Sequence, residues 1–307
     1  MTNFGDSLAA AVRRTGSVAC VGLDPRKAQL PQPIAAIAEG GTLDAWAAAY
    51  TQFCQEIIDV VAGQVPCVKP QAAFFEQLGP AGMVALGEVI RYASGKGLIV
   101  ITDGKRNDIG STATAYADAY LGASSPWGSD SLTVSPYLGR DSLEPFVEVC
   151  DDRSAGIFVL VKTSNPGGGL LQDRETKGQT VYAAVAELVT ELNASRLGQS
   201  GYGPVGTVVG ATYPHQLAEM RAALPGSWIL IPGFGAQGGA AEDVAGGFDD
   251  AGLGAVVNSS RGIIFAHSRE EYRQKYGDSR WQDAVEAATR EMNQQLSGVI
   301  PGGPRQA

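Results

Sequence analysis

A (β/α)8 barrel, the TIM-barrel fold, is the class this sequence predicts, and three observations predict it. Apolar runs of strand length alternate eight times with amphipathic stretches of helix length. The runs are nearly continuous rather than alternating, as in parallel strands covered on both faces. Polar residues gather where a run ends and the next connection begins, the end at which a parallel barrel carries its site. A doubly wound open sheet is the competing arrangement. Gly22-Leu23-Asp24-Pro25 follows the first run where a dinucleotide crevice would need Gly-x-Gly-x-x-Gly, so that function has no support.

The opening segment MTNFGDSLAAAVRRTG lacks the basic start and apolar core of a signal peptide and reads as a first helix. Strands are expected at residues 18–23, 65–69, 98–102, 131–134, 156–161, 206–209, 228–231 and 255–258. Helices are expected between them at 44–61, 80–92, 109–121, 142–150, 180–192, 214–223 and 240–250, with a last one at 280–294. The glycine-rich stretches 122–130, 165–178 and 198–204 read as surface loops, and 165–178 as a mobile cover over the mouth. With no linker or composition break, residues 1–307 are expected to form one domain with extended mouth loops and a short flexible tail at 303–307.

Composition narrows the function classes. A net charge of −9 with no basic stripe argues against nucleic-acid binding. No unbroken apolar run reaches membrane-spanning length, so a cytoplasmic protein with no membrane association is expected. Cys20, Cys54, Cys67 and Cys150 form no CxxC or Cys/His cluster and suit reduced, buried thiols. His215 and His267 lack ligand spacing, and no metal is expected.

The densest charge lies in Asp103-Gly104-Lys105-Arg106-Asn107-Asp108-Ile109-Gly110, directly after the third run. Crowded charges at a strand end are costly unless paired, and chemistry is the usual reason for them. Asp103 and Lys105 are two apart, so continued extended backbone would point both to one side. Asp24 follows the first run, Lys69 ends the second, Lys162-Thr163-Ser164-Asn165 follow the fifth, and Ser259-Ser260-Arg261-Gly262 follow the eighth. Taken singly, Asp108 fits a helix-capping acid, Asp24 a turn former before Pro25, and Lys69 a structural ion pair. Together they suggest alternating lysines and aspartates. Such an array keeps lysine protonated, as a general acid requires and a Schiff-base lysine does not. The glycine-rich stretch 233–239 with Gln237, and Arg261 from the next loop, suit a phosphate group.

These segments resemble the orotidine 5'-phosphate decarboxylase family in its longer bacterial form, type 2. Asp103-Gly104-Lys105-Arg106-Asn107-Asp108-Ile109-Gly110-Ser111-Thr112 is similar to the family's Asp-x-Lys-x-x-Asp signature. Val21-Gly22-Leu23-Asp24-Pro25, Val68-Lys69-Pro70, Lys162-Thr163-Ser164-Asn165-Pro166-Gly167 and Pro232-Gly233-Phe234-Gly235-Ala236-Gln237-Gly238-Gly239 are similar to its other segments, in order. The resemblance implies cofactor-free decarboxylation of orotidine 5'-monophosphate to UMP and CO2, in de novo pyrimidine biosynthesis. It implies that Lys105 protonates C6, Asp103 lies beside the departing carboxylate, and Lys69 links Asp103 to the ribose. It further implies that Asp24 binds a ribose hydroxyl, Ser164 the pyrimidine, and Gln237 with Arg261 the phosphate. Asp108 and Thr112 would reach the site of the other subunit in a homodimer. The loops 122–130 and 165–178 are longer than in the compact form of the family, which affects the cover and subunit contacts. Two other readings stay open at this level: a Mg²⁺-dependent relative decarboxylating 3-keto-gulonate phosphate with the same pattern, and a barrel that has become a binding protein.

Overall fold

The computed structural model describes residues 3–235 and 240–301. Eight parallel strands close into a barrel: β1 Ala19–Leu23, β2 Cys67–Pro70, β3 Ile99–Arg106, β4 Ser131–Val134, β5 Gly156–Lys162, β6 Val205–Val209, β7 Ile229–Ile231 and β8 Ala255–Ser259. Around the barrel the order is β1-β8-β7-β6-β5-β4-β3-β2, with β1 pairing both β2 and β8. The predicted strands are all present. Buried on both faces, they carry apolar side chains at most positions, and this is why they read as nearly continuous runs.

The N-terminal helix, Phe4–Thr15, closes the bottom of the barrel. Asn3 caps it by accepting the Asp6 N–H at 2.9 Å, and Gly16 ends it at φ 61°, a left-handed geometry that favours glycine. Its Phe4 packs edge-on against Phe158 of β5 at 5.9 Å, and the Trp228 indole donates to the Gly5 carbonyl at 3.1 Å. At the other end of the chain, Trp281–Ser297 lies against Leu43–Val61, where Phe53 contacts both Trp281 and Phe265. All four cysteines are free and buried. Among the described residues, no helix is long and apolar enough to cross a membrane.

Several local expectations are corrected. Strand β3 does not end at residue 102 but continues irregularly to Arg106, and β5 takes in Lys162. The predicted helix 240–250 is only Ala241–Val244 followed by a 3-10 turn Ala245–Gly247, because Gly246 and Gly247 weaken helix propagation. The presumed loop 165–178 is ordered as a 3-10 turn Pro166–Gly168, a helical turn Gly169–Gln172 and a hairpin pairing Glu175–Thr176 with Gln179–Thr180. The tail 303–307 lies outside the described residues.

Candidate active site

The C-terminal ends of the strands bring Lys69, Asp103 and Lys105 into one cluster. Asp103 sits at its centre, buried at 7% exposure, and its carboxylate is held from three sides. Oδ2 accepts from Lys69 Nζ at 2.8 Å. Oδ1 accepts from Lys105 Nζ at 2.6 Å and from the Thr133 hydroxyl at 2.9 Å. Lys69 is itself buried, whereas the Lys105 side chain is 49% exposed and reaches toward the mouth. Burial alone would drive the Asp103 carboxyl up, but the Lys69 and Lys105 ammonium groups outweigh it and hold it well below the ordinary carboxylate range. Burial works against the Lys69 ammonium too, yet Asp103 and then Asp24 outweigh it and raise its pKa above the usual lysine value. Both groups are therefore charged at neutral pH.

The backbone reason for this cluster is not the one expected. Asp103 and Lys105 do meet, but not along continuous extended chain. Five positions of β3, from Thr102 to Arg106, face three positions of β4, from Leu132 to Val134. The excess forms a bulge, a device that re-aims side chains beside active sites. Lys105 stands in it at φ 45°, a left-handed conformation that for a side-chain-bearing residue stores about 1–3 kcal/mol. The bulge is held by the Lys105 N–H donating to Thr133 Oγ1 at 2.9 Å and by Arg106 Nη1 donating to the Gly104 carbonyl at 2.8 Å. Arg106 is fixed in turn by an ion pair with Glu76 and by the rings of Tyr116 and Tyr120.

The other predicted residues that the structure describes lie on the connections after β1, β3, β5 and β8. Asp24 follows β1, and its Oδ1 is buried without a hydrogen-bond partner among the described residues. Asp108 is not a helix cap: Ile109 is the N-cap residue of Gly110–Tyr120, and among the described residues the Asp108 carboxylate accepts only the Ile109 N–H, at 2.9 Å. Thr112 lies exposed on the first turn of that helix. Ser164 follows β5 beside Gly210, at the end of β6, and together with Asn165, Pro166, Thr212 and Tyr213 it lines an open cleft of ≈ 350 Å³. A Cβ on Gly210 would stand 2.7 Å from both Cα and Cβ of Ser164. Gly210→Ala is therefore expected to displace Ser164, to destabilise by about 1–3 kcal/mol and to raise KM. Urea denaturation and steady-state kinetics check this, and wild-type values in both would remove Gly210 as the support of Ser164. Arg261 opens the short helix Arg261–Ile264 after β8 and is exposed, while Gln237 lies outside the described residues.

Three participants escaped sequence inspection. Thr133 sits inside the apolar run of β4, where one hydroxyl carries no local signal. Arg106 belongs to the charged motif but had no assigned partner. Lys162 was noticed only as a mouth residue. It is in fact the last residue of β5, its side chain 1% exposed, paired with Asp173 of the segment 165–178 and flanked by the rings of Tyr213 and Tyr182. Gln172 of the same segment bonds Thr163 twice, by its Oε1 from the N–H at 3.0 Å and by its Nε2 to the hydroxyl at 2.8 Å. The segment is thus pinned to the end of β5.

The sequence pattern of the orotidine 5'-phosphate decarboxylase / HUMPS family matches residues 17–276. The chain belongs to this family. It is 70% identical to an orotidine 5'-phosphate decarboxylase of Rhodopirellula baltica over 97% of its own length and 100% of that protein. A Caldicellulosiruptor bescii protein of the same name is 40% identical over 87% of this chain and 91% of its own. Among solved structures, the Leishmania donovani OMP decarboxylase superposes with a TM-score of 0.75 at 34% identity, covering 97% of this chain and 98% of that one. The chain is thus an enzyme of the orotidine 5'-phosphate decarboxylase class, and the resemblance carried by Asp103–Asp108 stands.

Proposed function

We propose that this chain converts orotidine 5'-monophosphate to UMP and CO2 without a cofactor, with Lys105 as the proton donor. The observation that carries the mechanism is the Asp103 carboxylate clamped between the Lys69 and Lys105 ammonium groups at the barrel mouth. With the substrate carboxylate beside Asp103, the C6–carboxylate bond breaks, CO2 leaves, and the electron pair stays on C6. The Lys105 ammonium stabilises that developing carbanion and then transfers one proton from Nζ to C6. Repulsion between Asp103 and the substrate carboxylate is relieved in the same step.

The remaining residues bind and orient. Asp24, whose Oδ1 has no protein donor among the described residues, accepts from a ribose hydroxyl next to Lys69. Ser164 contacts the pyrimidine, and Gln237 with Arg261 holds the phosphate. Binding energy from ribose and phosphate is then expressed at C6 in the transition state. The active form is a cytoplasmic homodimer with shared sites, to which Asp108 and Thr112 contribute across the interface. Support comes from exposed Ile109 beside Asp108 and from exposed Tyr137 and Leu138 after the neighbouring strand β4, apolar surface of the kind that marks an interface.

The decisive experiment is the ultraviolet assay of orotidine 5'-monophosphate decarboxylation on EDTA-treated protein. Full activity is expected, because both Asp103 oxygens already accept hydrogen bonds and Mg²⁺ would have to displace an ammonium group. Activity lost to EDTA and restored by Mg²⁺ would favour the metal-dependent alternative, and no decarboxylation at all would overturn the assignment. The shared site has its own test. Equimolar mixing of inactive Lys105→Ala and Asp108→Ala subunits is expected to restore about a quarter of wild-type activity, since half the dimers are mixed and each holds one intact site. No recovery after verified subunit exchange would mean that each site is self-contained.

A further inference from the structure

Opposite the bulge of β3, strand β4 offers a single residue between Leu132 and Val134, and that residue is Thr133. Ordinary ladder pairing is lost there, so the Lys105 N–H needs another acceptor. Thr133 Oγ1 takes that N–H at 2.9 Å. Having accepted there, the hydroxyl has one proton to give, and it gives it to Asp103 Oδ1, also at 2.9 Å. The residue is buried at 1% exposure, and both of its bonds lie away from bulk water. One hydroxyl therefore ties the backbone of the lysine to the carboxylate that its own ammonium grips.

We propose that Thr133 is a positioning residue: its hydroxyl locks the Asp103 carboxylate rotamer and the Lys105 backbone into the geometry that aims the Lys105 ammonium. The proposal rests on the role given to Lys105 above. The φ of 45° at Lys105 is not one that a lysine adopts unaided. Without the Thr133 acceptor the bulge relaxes toward unstrained backbone, and the ammonium at its tip moves with it. Thr133 is buried and bonds the Lys105 N–H and Asp103, so its loss acts on the chemical step far more than on affinity.

The test compares Thr133→Ser, which keeps the hydroxyl, with Thr133→Ala, which differs from it by that oxygen alone. Thr133→Val serves as the near-isosteric control, and the Ser/Ala pair decides the question if the valine variant does not fold. The alanine variant is expected to lose roughly 10- to 100-fold in kcat while its UMP dissociation constant changes by less than about threefold. The serine variant is expected to stay within about threefold of wild type in both. Equal kcat in the serine and alanine variants, or kcat losses matched by equal losses in UMP affinity, overturns the proposal. A readout free of turnover separates this proposal from the function itself. Exchange of the Lys105 amide hydrogen is expected to accelerate about tenfold in the alanine variant and not in the serine variant. An unchanged rate overturns the proposal even in an active enzyme. Failure of the wild type to decarboxylate the nucleotide overturns the functional reading while leaving the exchange result to stand alone.

Discussion

Lys105→Ala is expected to abolish measurable turnover, a loss of about 10⁴-fold or more in kcat, while the protein remains folded. Under the mechanism proposed above, two contributions disappear together: the positive charge that faces C6 and the proton delivered there. The side chain is half exposed and makes its ion pair from the rim of the mouth, so no cavity opens in the core. Asp103 keeps Lys69 and Thr133 as donors. Single-turnover kinetics at saturating substrate, together with a thermal melt, check this. An alanine variant that retained a tenth of wild-type turnover would falsify the assignment of Lys105 as donor. Loss of activity through unfolding would show instead as a large drop in melting temperature.

Lys69→Ala is expected to damage both stability and activity, for a different reason. Lys69 and Asp103 are each buried, and removing Lys69 leaves the Asp103 charge with Lys105 and Thr133 alone, at a cost of up to about 3–5 kcal/mol. The pH dependence follows from the directions of the two shifts. The depressed Asp103 contributes stability above the ordinary carboxylate value, and that contribution is lost only as pH falls through its lowered pKa. The raised Lys69 contributes below the ordinary lysine value and loses its contribution as pH rises through the raised one. Wild-type stability from this pair is thus flat between about pH 5 and pH 9. In the alanine variant burial of Asp103 is opposed by Lys105 but no longer by Lys69, so its carboxyl shifts upward from its wild-type position. The destabilisation should be largest at neutral pH and shrink on acidification, as read by urea unfolding at two pH values. A small loss that does not vary with pH would mean that the pair is solvated rather than buried.

The strands were legible because their burial on two faces leaves a one-dimensional trace. A run such as Ser131–Val134 needs no partner to be recognised, and its predicted bounds match the structure. The same uniformity concealed Thr133, since a buried threonine that bonds only its own neighbourhood looks the same in sequence as one that supports a bulge. Asp108, read alone as a capping acid, misled in the opposite direction. Its position before a helix suggested a cap, yet the chain enters the helix through Ile109 and leaves that carboxylate outside. The segment 165–178 looked like a structureless cover because its glycines are local, whereas the contacts ordering it, from Asp173 to Lys162 and from Gln172 to Thr163, come from the end of β5.

The division between the two levels is physical. Strand count, the alternation with helices, the collection of polar residues at one end of the barrel and the Asp103–Asp108 motif are written along the chain, because each depends on period or adjacency. The meeting of Lys69 with Asp103 depends on parallel strands set side by side. The two extra residues of β3 and the left-handed turn at Lys105 depend on register against β4. The charge states of Lys69 and Asp103 depend on burial among each other's atoms. Those properties arise only from distances across space, and they turn a charged motif into a carboxylate clamped between two ammonium groups at the barrel mouth.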